Sequence, residues 1–216
     1  MEAYTRKHLR ELGRTMSDLH GALRTFPGKP EHTVADEYAP IFARMQHYFA
    51  EPTVQRAMHA KLGLAAPVYQ LSRFSKLLEL SRELPHQQPL HLDFVRGNIL
   101  FSPAAEITGI LDFEKTAWGH PIFDIGRTLA FLLVDCKYKP ETDVRKYFLF
   151  SGYNRHGTGA LKVSENSRLL EELVNLFLLH DFYKFLRHNP YEALHANEHY
   201  LRTEKLLVRR GVLSRA

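Results

Sequence analysis

Three side chains, Asp93, Asn98 and Asp112, could carry chemistry together. They lie in residues 89–124, PLHLDFVRGNILFSPAAEITGILDFEKTAWGHPIFD. Two short apolar runs with strand character, 98–101 and 107–113, flank Ser102-Pro-Ala-Ala-Glu106, which reads as a turn. A carboxylate five residues ahead of an amide, with a second carboxylate closing the next strand, suits one task. It can hold a divalent cation and a polyphosphate while a hydroxyl is aimed for attack. Mg²⁺ takes hard oxygen ligands, usually one or two carboxylates plus phosphate oxygens and water. Asn98 and Asp112 supply such oxygens, and Asp93 is left to accept the proton of an acceptor hydroxyl or simply to aim it. An isolated Asp near an Asn is ordinary turn chemistry. The longer pattern is more demanding: His91-Leu-Asp93, Asn98, three apolar residues, a turn, a strand, Asp112-Phe-Glu114, then Pro121 and Asp124 opening a helix.

The order His-x-Asp, Asn five residues after the Asp, then an Asp on the next strand is that of the protein kinase catalytic loop. The stretch most resembles the aminoglycoside phosphotransferase and choline kinase-like group, the small-molecule branch of the protein-kinase-like fold. By that resemblance Asp93 is the catalytic Asp, and Asn98 and Asp112 hold Mg²⁺ and with it the nucleotide. His91 and Asp124 brace the loop, and Glu114 is a supporting residue that hydrogen-bonds within the site. The departures from the family pattern are specific. Leu92 stands where Gly is usual, and His120 stands where Asp precedes the Pro. The basic residue after the catalytic Asp is Arg96, one position later than the common His. Arg96 either neutralises charge on the transferred phosphoryl group or points to solvent.

With 216 residues, 44% of them hydrophobic, the chain can bury a core as one domain. One cysteine, Cys136, excludes an internal disulfide framework and fits a reducing compartment, as does the lack of a signal peptide. No apolar run reaches the roughly 20 residues that span a bilayer, so no membrane association and a cytoplasmic location are expected. The net charge of +5 comes from scattered Lys and Arg with no basic block or aromatic-basic ladder, so nucleic acid is not expected as a partner.

The periodicity predicts a mainly α chain with a small β-hairpin region, which the resemblance makes the C-terminal lobe of a protein-kinase-like fold. Residues 1–216 are expected to form a single domain. It comprises a helical subdomain (1–88), the catalytic loop and strand pair (89–120) and C-terminal helices (121–216). Helices are predicted over 2–26, 36–50, 53–62, 67–84, 122–134, 143–153, 164–189 and 191–209, with a polar, glycine-rich loop over 152–163. In the resembled family a Gly-rich strand pair, a phosphate-binding Lys and an adenine hinge come before a helix like 2–26, with its Leu19-His20 pair. Nothing precedes it here, and no Gly-x-Gly-x-x-Gly or Val-Ala-x-Lys pattern substitutes. The expectation is a C-terminal lobe whose N-lobe is absent, lost by truncation or carried on a separate polypeptide.

His195-Ala-Asn-Glu198-His199 matches an inverted zinc-protease motif if all of it lies on one helix, but no third ligand follows at a usable distance. A solvated helix face is the expected reading. His180, Asp181, Tyr183 and Glu192 are candidate acceptor contacts, or else parts of a mixed-charge surface. The sequence therefore points to an ATP-dependent phosphotransferase acting on a small-molecule hydroxyl. The alternative is a catalytically incompetent binding or scaffold lobe that keeps the motif for stability.

Overall fold

The computed structural model describes residues 4–28, 31–156 and 167–216. The expected glycine-rich loop, from Gly157 on, and the opening of the helix expected at Ser164 lie outside the described residues. Among the described residues the chain is mostly helical, as the patterning predicts, with two small antiparallel sheets where one hairpin was expected. It divides into two compact units, one of Met1–Val34 with Leu84–Leu173 and one of Ala35–Glu83 with Val174–Ala216.

The first unit is built around α1 (Arg6–Leu23). Thr5 caps it in a reciprocal arrangement: the Thr5 hydroxyl accepts from His8 N, and His8 Nδ1 accepts from Thr5 N. Leu9, Leu12, Gly13, Met16, Ser17 and His20 form its buried stripe, at the three- and four-residue steps of a helix face. Against this stripe packs a helical segment that starts as α6 (Glu141–Arg145) and widens into π-helical turns over Lys146–Tyr153. A methyl group on Gly13 would sit 2.0 Å from Phe148 O and 2.9 Å from Gly152 Cα, so only bare backbone allows this approach. The contact seats Tyr153 against His20, their ring centroids 5.6 Å apart.

β1 (Gln88–Leu90) pairs antiparallel with β4 (Ala117–Gly119), and β2 (Ile99–Phe101) with β3 (Ile107–Ile110). The β2–β3 hairpin is the expected one, although Asn98 falls in a 3₁₀ turn (Arg96–Asn98) just ahead of β2. The β1–β4 pair was not foreseen. All of β1 is buried, so it shows no alternation, and Pro89 argues against a strand. Trp118 N, on the other edge of β4, donates to His32 O (2.9 Å). α5 (Ile122–Asp135) follows β4 and is buried along almost its whole length.

The second unit holds α2 (Val34–Ala50) from its second residue onward, α3 (Pro52–Ala57) with π-helical turns over Met58–Leu62, and α4 (Val68–Ser81). It also takes the later part of α8 (Arg168–His188) and α9 (Glu198–Arg209). A short helical turn, α7 (Asn154–His156), precedes α8 and belongs to the first unit. Aromatic packing fills the second unit: Tyr38 meets Phe177 edge-on at 5.4 Å, and Phe182 stacks on Tyr200 at 5.6 Å. One helix over 191–209 was expected. Instead a 3₁₀ segment (Tyr191–Ala196) ends at Asn197, whose side chain accepts from Tyr200 N and starts α9 afresh. His195 and His199 therefore do not share one helix, which removes the geometry the zinc motif requires.

Candidate active site

The loop from β1 to β2 carries His91, Asp93 and Asn98, and its conformation depends on a backbone feature at Leu92. Leu92 has φ +58°, in the left-handed region, which explains why glycine suits this position. The leucine is held there because its side chain is buried and its N–H donates to Asp124 Oδ1 at 2.6 Å. His91 N donates to the other oxygen, Oδ2, at 2.9 Å. One buried carboxylate thus takes two consecutive amides of the loop. Asp124 lies in the first turn of α5, as expected, yet its oxygens are given to the loop. Thr128, one turn further along α5, donates its hydroxyl to Phe94 O (3.3 Å) and holds the loop a second time.

Behind Asp124 a buried chain continues. His20 Nε2 lies 3.0 Å from Asp124 Oδ2, and His20 Nδ1 lies 2.8 Å from the Tyr153 hydroxyl. Burial, reinforced by the Asp124 charge, pushes the Tyr153 hydroxyl far above its ordinary pKa, so it stays protonated and donates. Tyr153 O–H then donates to His20 Nδ1, and His20 Nε2–H donates to Asp124.

His91 joins the two halves of the site. Its Nε2–H donates to Leu111 O at 2.9 Å, and its Nδ1 accepts from Asp93 N at 3.2 Å. Leu111 N in turn donates to Asn98 O at 2.8 Å. The residue directly before Asp112 is therefore gripped on both its amide and its carbonyl, by the two loop residues that flank Asp93. Phe113 covers the His91 ring at 4.6 Å. Asp112 itself has φ +61°, a conformation Asp tolerates better than most residues, and its carboxylate is exposed. Its Oδ1 meets Glu114 N at 3.4 Å, so Glu114 contributes its backbone while its side chain is exposed.

Asn98 Nδ2 donates to Asp93 O (3.0 Å) and to Asp93 Oδ2 (3.1 Å). With the amide nitrogen committed there, Asn98 Oδ1 is the atom left to meet a cation. Among the described residues no three His, Cys, Asp or Glu side chains gather to hold a metal. The donor set of Asn98 and Asp112 suits Mg²⁺, which takes few protein ligands and draws the rest from phosphate and water.

Arg96 lies in the 3₁₀ turn, exposed, with its charge acting on the Tyr4 hydroxyl. The cation beside Asp93 is Lys115, whose Nζ lies 2.7 Å from Asp93 Oδ2. No spacing rule links residues 93 and 115, so the sequence carried no signal for this pair. The candidate acceptor contacts belong to the second unit, where two of them, Tyr183 and Glu192, pack or pair with neighbours. Tyr183 packs edge-on to Tyr48 at 5.3 Å, and Glu192 pairs with Lys61 at 2.6 Å.

His120 takes the place of the family's Asp by using a ring nitrogen. Its Nδ1 accepts from Ile122 N at 3.2 Å, satisfying a free amide at the start of α5. Burial, helped by His86 and His20, lowers its pKa from 6.5 to about 4. A histidine neutral in the fold but chargeable in the unfolded chain destabilises as pH falls, because the unfolded state then binds more protons. Denaturation midpoints should therefore drop as pH falls from about 6.5 toward 4 and flatten below that. His120→Asn, titrated alongside wild type by urea denaturation, should lose that part of the slope. An identical slope in both proteins would exclude His120 as its source.

The sequence profile of the phosphotransferase enzyme family matches residues 1–139, so the chain belongs to that family. The match ends just past α5. No curated relative matches the chain. Among solved structures it is similar to the GDP complex of a mutant aminoglycoside 2'-phosphotransferase-IIIa, with a TM-score of 0.49 and 17% identity. That likeness covers 97% of this chain and 63% of the other, so the chain spans less than two thirds of that protein's length. Among the described residues no helix is long and apolar enough to cross a membrane.

Proposed function

We propose that this chain is the catalytic lobe of an ATP-dependent phosphotransferase that moves the γ-phosphate to a hydroxyl of a small molecule in the cytoplasm. An N-lobe lying outside these 216 residues completes it. The observation that carries this reading is the double grip on Leu111, by Asn98 O and His91 Nε2, which fixes Asp112 beside the loop that presents Asp93. Asp93 orients or deprotonates the acceptor hydroxyl. Asn98 and Asp112 would hold Mg²⁺, which when bound supplies charge neutralisation on the phosphates. His91 and Asp124 keep the loop in register, and Arg96 adds positive charge at its rim. The chemistry is positioning and electrostatics, with no covalent intermediate on the protein.

The test is Mg²⁺-dependent turnover of γ-labelled ATP by the full-length protein. The acceptors offered would be an amino alcohol, a sugar, a nucleoside and an aminoglycoside. Label is expected on one acceptor class, and chelation of Mg²⁺ should abolish it. Nucleotide binding with no transfer to any acceptor or to water would favour a binding or scaffold lobe instead.

A further inference from the structure

We infer that Lys115 is a positioning residue of the transfer reaction, acting through Asp93; the inference rests on the phosphotransferase reading. Asp93 Oδ2 receives two donors, Lys115 Nζ at 2.7 Å and Asn98 Nδ2 at 3.1 Å, and the backbone N of Asp93 is held by His91 Nδ1. Among the described residues Oδ1 has no hydrogen-bond partner. The carboxylate is thereby turned so that one oxygen is spent on the protein and the other is offered outward, where an acceptor hydroxyl can use it. Without Lys115, Asn98 alone holds Oδ2, through a longer contact whose nitrogen is shared with Asp93 O. The carboxylate would then be free to exchange its two oxygens and lose its aim.

The turn that presents Asp112 also delivers Lys115. After Asp112 turns through its left-handed conformation, Thr116 N and Thr116 Oγ1 both donate to Phe113 O, at 3.1 and 2.7 Å. That tight reversal brings residue 115 back over the loop. The Lys115 side chain is 47% exposed and that of Asp93 is 14%. An ion pair this open does little for folding, so stability is a poor explanation for it. It lies instead at the carboxylate that faces the acceptor hydroxyl on this reading.

The test is a mutant cycle on Mg²⁺-dependent ATP hydrolysis by the full-length protein, with water as acceptor, so that no substrate has to be known. Lys115→Met should lower kcat about tenfold, with KM for ATP within about twofold and an unchanged denaturation midpoint. Lys115→Arg should restore most of the rate. Asp93→Asn should be slower still, and Asp93→Asn combined with Lys115→Met should be no slower than Asp93→Asn alone, because Lys115 then has no carboxylate to aim. A wild-type rate in Lys115→Met, beside a slow Asp93→Asn, would overturn the inference and leave the phosphotransferase reading standing. So would a double variant slower than Asp93→Asn by the full Lys115→Met factor. No transfer by wild type to water or to any of the acceptors above, or an undiminished rate in Asp93→Asn, would remove that reading and the inference with it.

Discussion

Replacing Asp93 by Ala is expected to reduce phosphoryl transfer at least a thousandfold in the full-length protein while leaving the fold intact. The rate expectation follows from the number of tasks that meet on one carboxylate. On the proposed reading it aims or deprotonates the hydroxyl, a contribution typically of about 10²–10⁴, and its Oδ2 accepts from Asn98 Nδ2 at 3.1 Å, which helps to order that amide. The stability expectation follows from exposure. The pair lost with Lys115 is solvent-accessible, and such pairs are worth about 0–1 kcal/mol. The contact from Asn98 to Asp93 O is to backbone and survives the substitution. Urea denaturation alongside a γ-phosphate transfer assay separates the two effects. Activity retained at a tenth of wild type would remove Asp93 from the reaction, and a large fall in the denaturation midpoint would make it a structural residue.

What the sequence disclosed and what it hid divide by sequence separation. Asp93, Asn98 and Asp112 could be singled out as candidates because a loop, a turn and a hairpin are local, and the β2–β3 pairing follows from the apolar runs, although the bulge between Leu100 and Phe101 does not. The helices of the first unit were legible for a similar reason, since a stripe such as Leu9, Leu12 and Met16 reports its own face. The substitution of Leu92 for Gly could be seen, but its meaning could not. Only the φ of +58° shows that the position demands a left-handed residue and that burial of the leucine, with an amide bond to Asp124, offsets the strain. Contacts between distant residues left no trace. Tyr153 reaches His20 across 133 residues, and His20 reaches Asp124 across 104. Lys115 meets Asp93 through a turn whose geometry depends on Asp112 being left-handed. Asn197 was hidden for a different reason. The periodicity continues past it, so only its cap on Tyr200 N reveals that a new helix begins there.

Asp124→Ala should have the opposite signature to Asp93→Ala, with a loss of stability of about 3–5 kcal/mol and a loss of activity that follows from it. The Asp124 side chain is almost fully buried and accepts from His91 N, Leu92 N and His20 Nε2, at 2.9, 2.6 and 3.0 Å. Removing it leaves three buried donors with no acceptor, and each unsatisfied donor costs about 1–3 kcal/mol. Leu92 is the most sensitive of the three. Its left-handed backbone costs about 1–2 kcal/mol and loses the bond that holds it. The loop should then relax, releasing His91 from Leu111 and with it the position of Asp112. Asp124→Asn should rescue only part of the loss, because its NH₂ group would face a donor. Tyr153→Phe, which removes only the outermost hydrogen bond, should cost about 1 kcal/mol. Denaturation midpoints rank the three variants, and amide hydrogen exchange locates the effect. Protection at the His91 and Leu92 amides should collapse in Asp124→Ala well beyond the global change in stability. Undiminished protection at those two amides would mean that the loop is held by its own turn geometry and that Asp124 serves only α5.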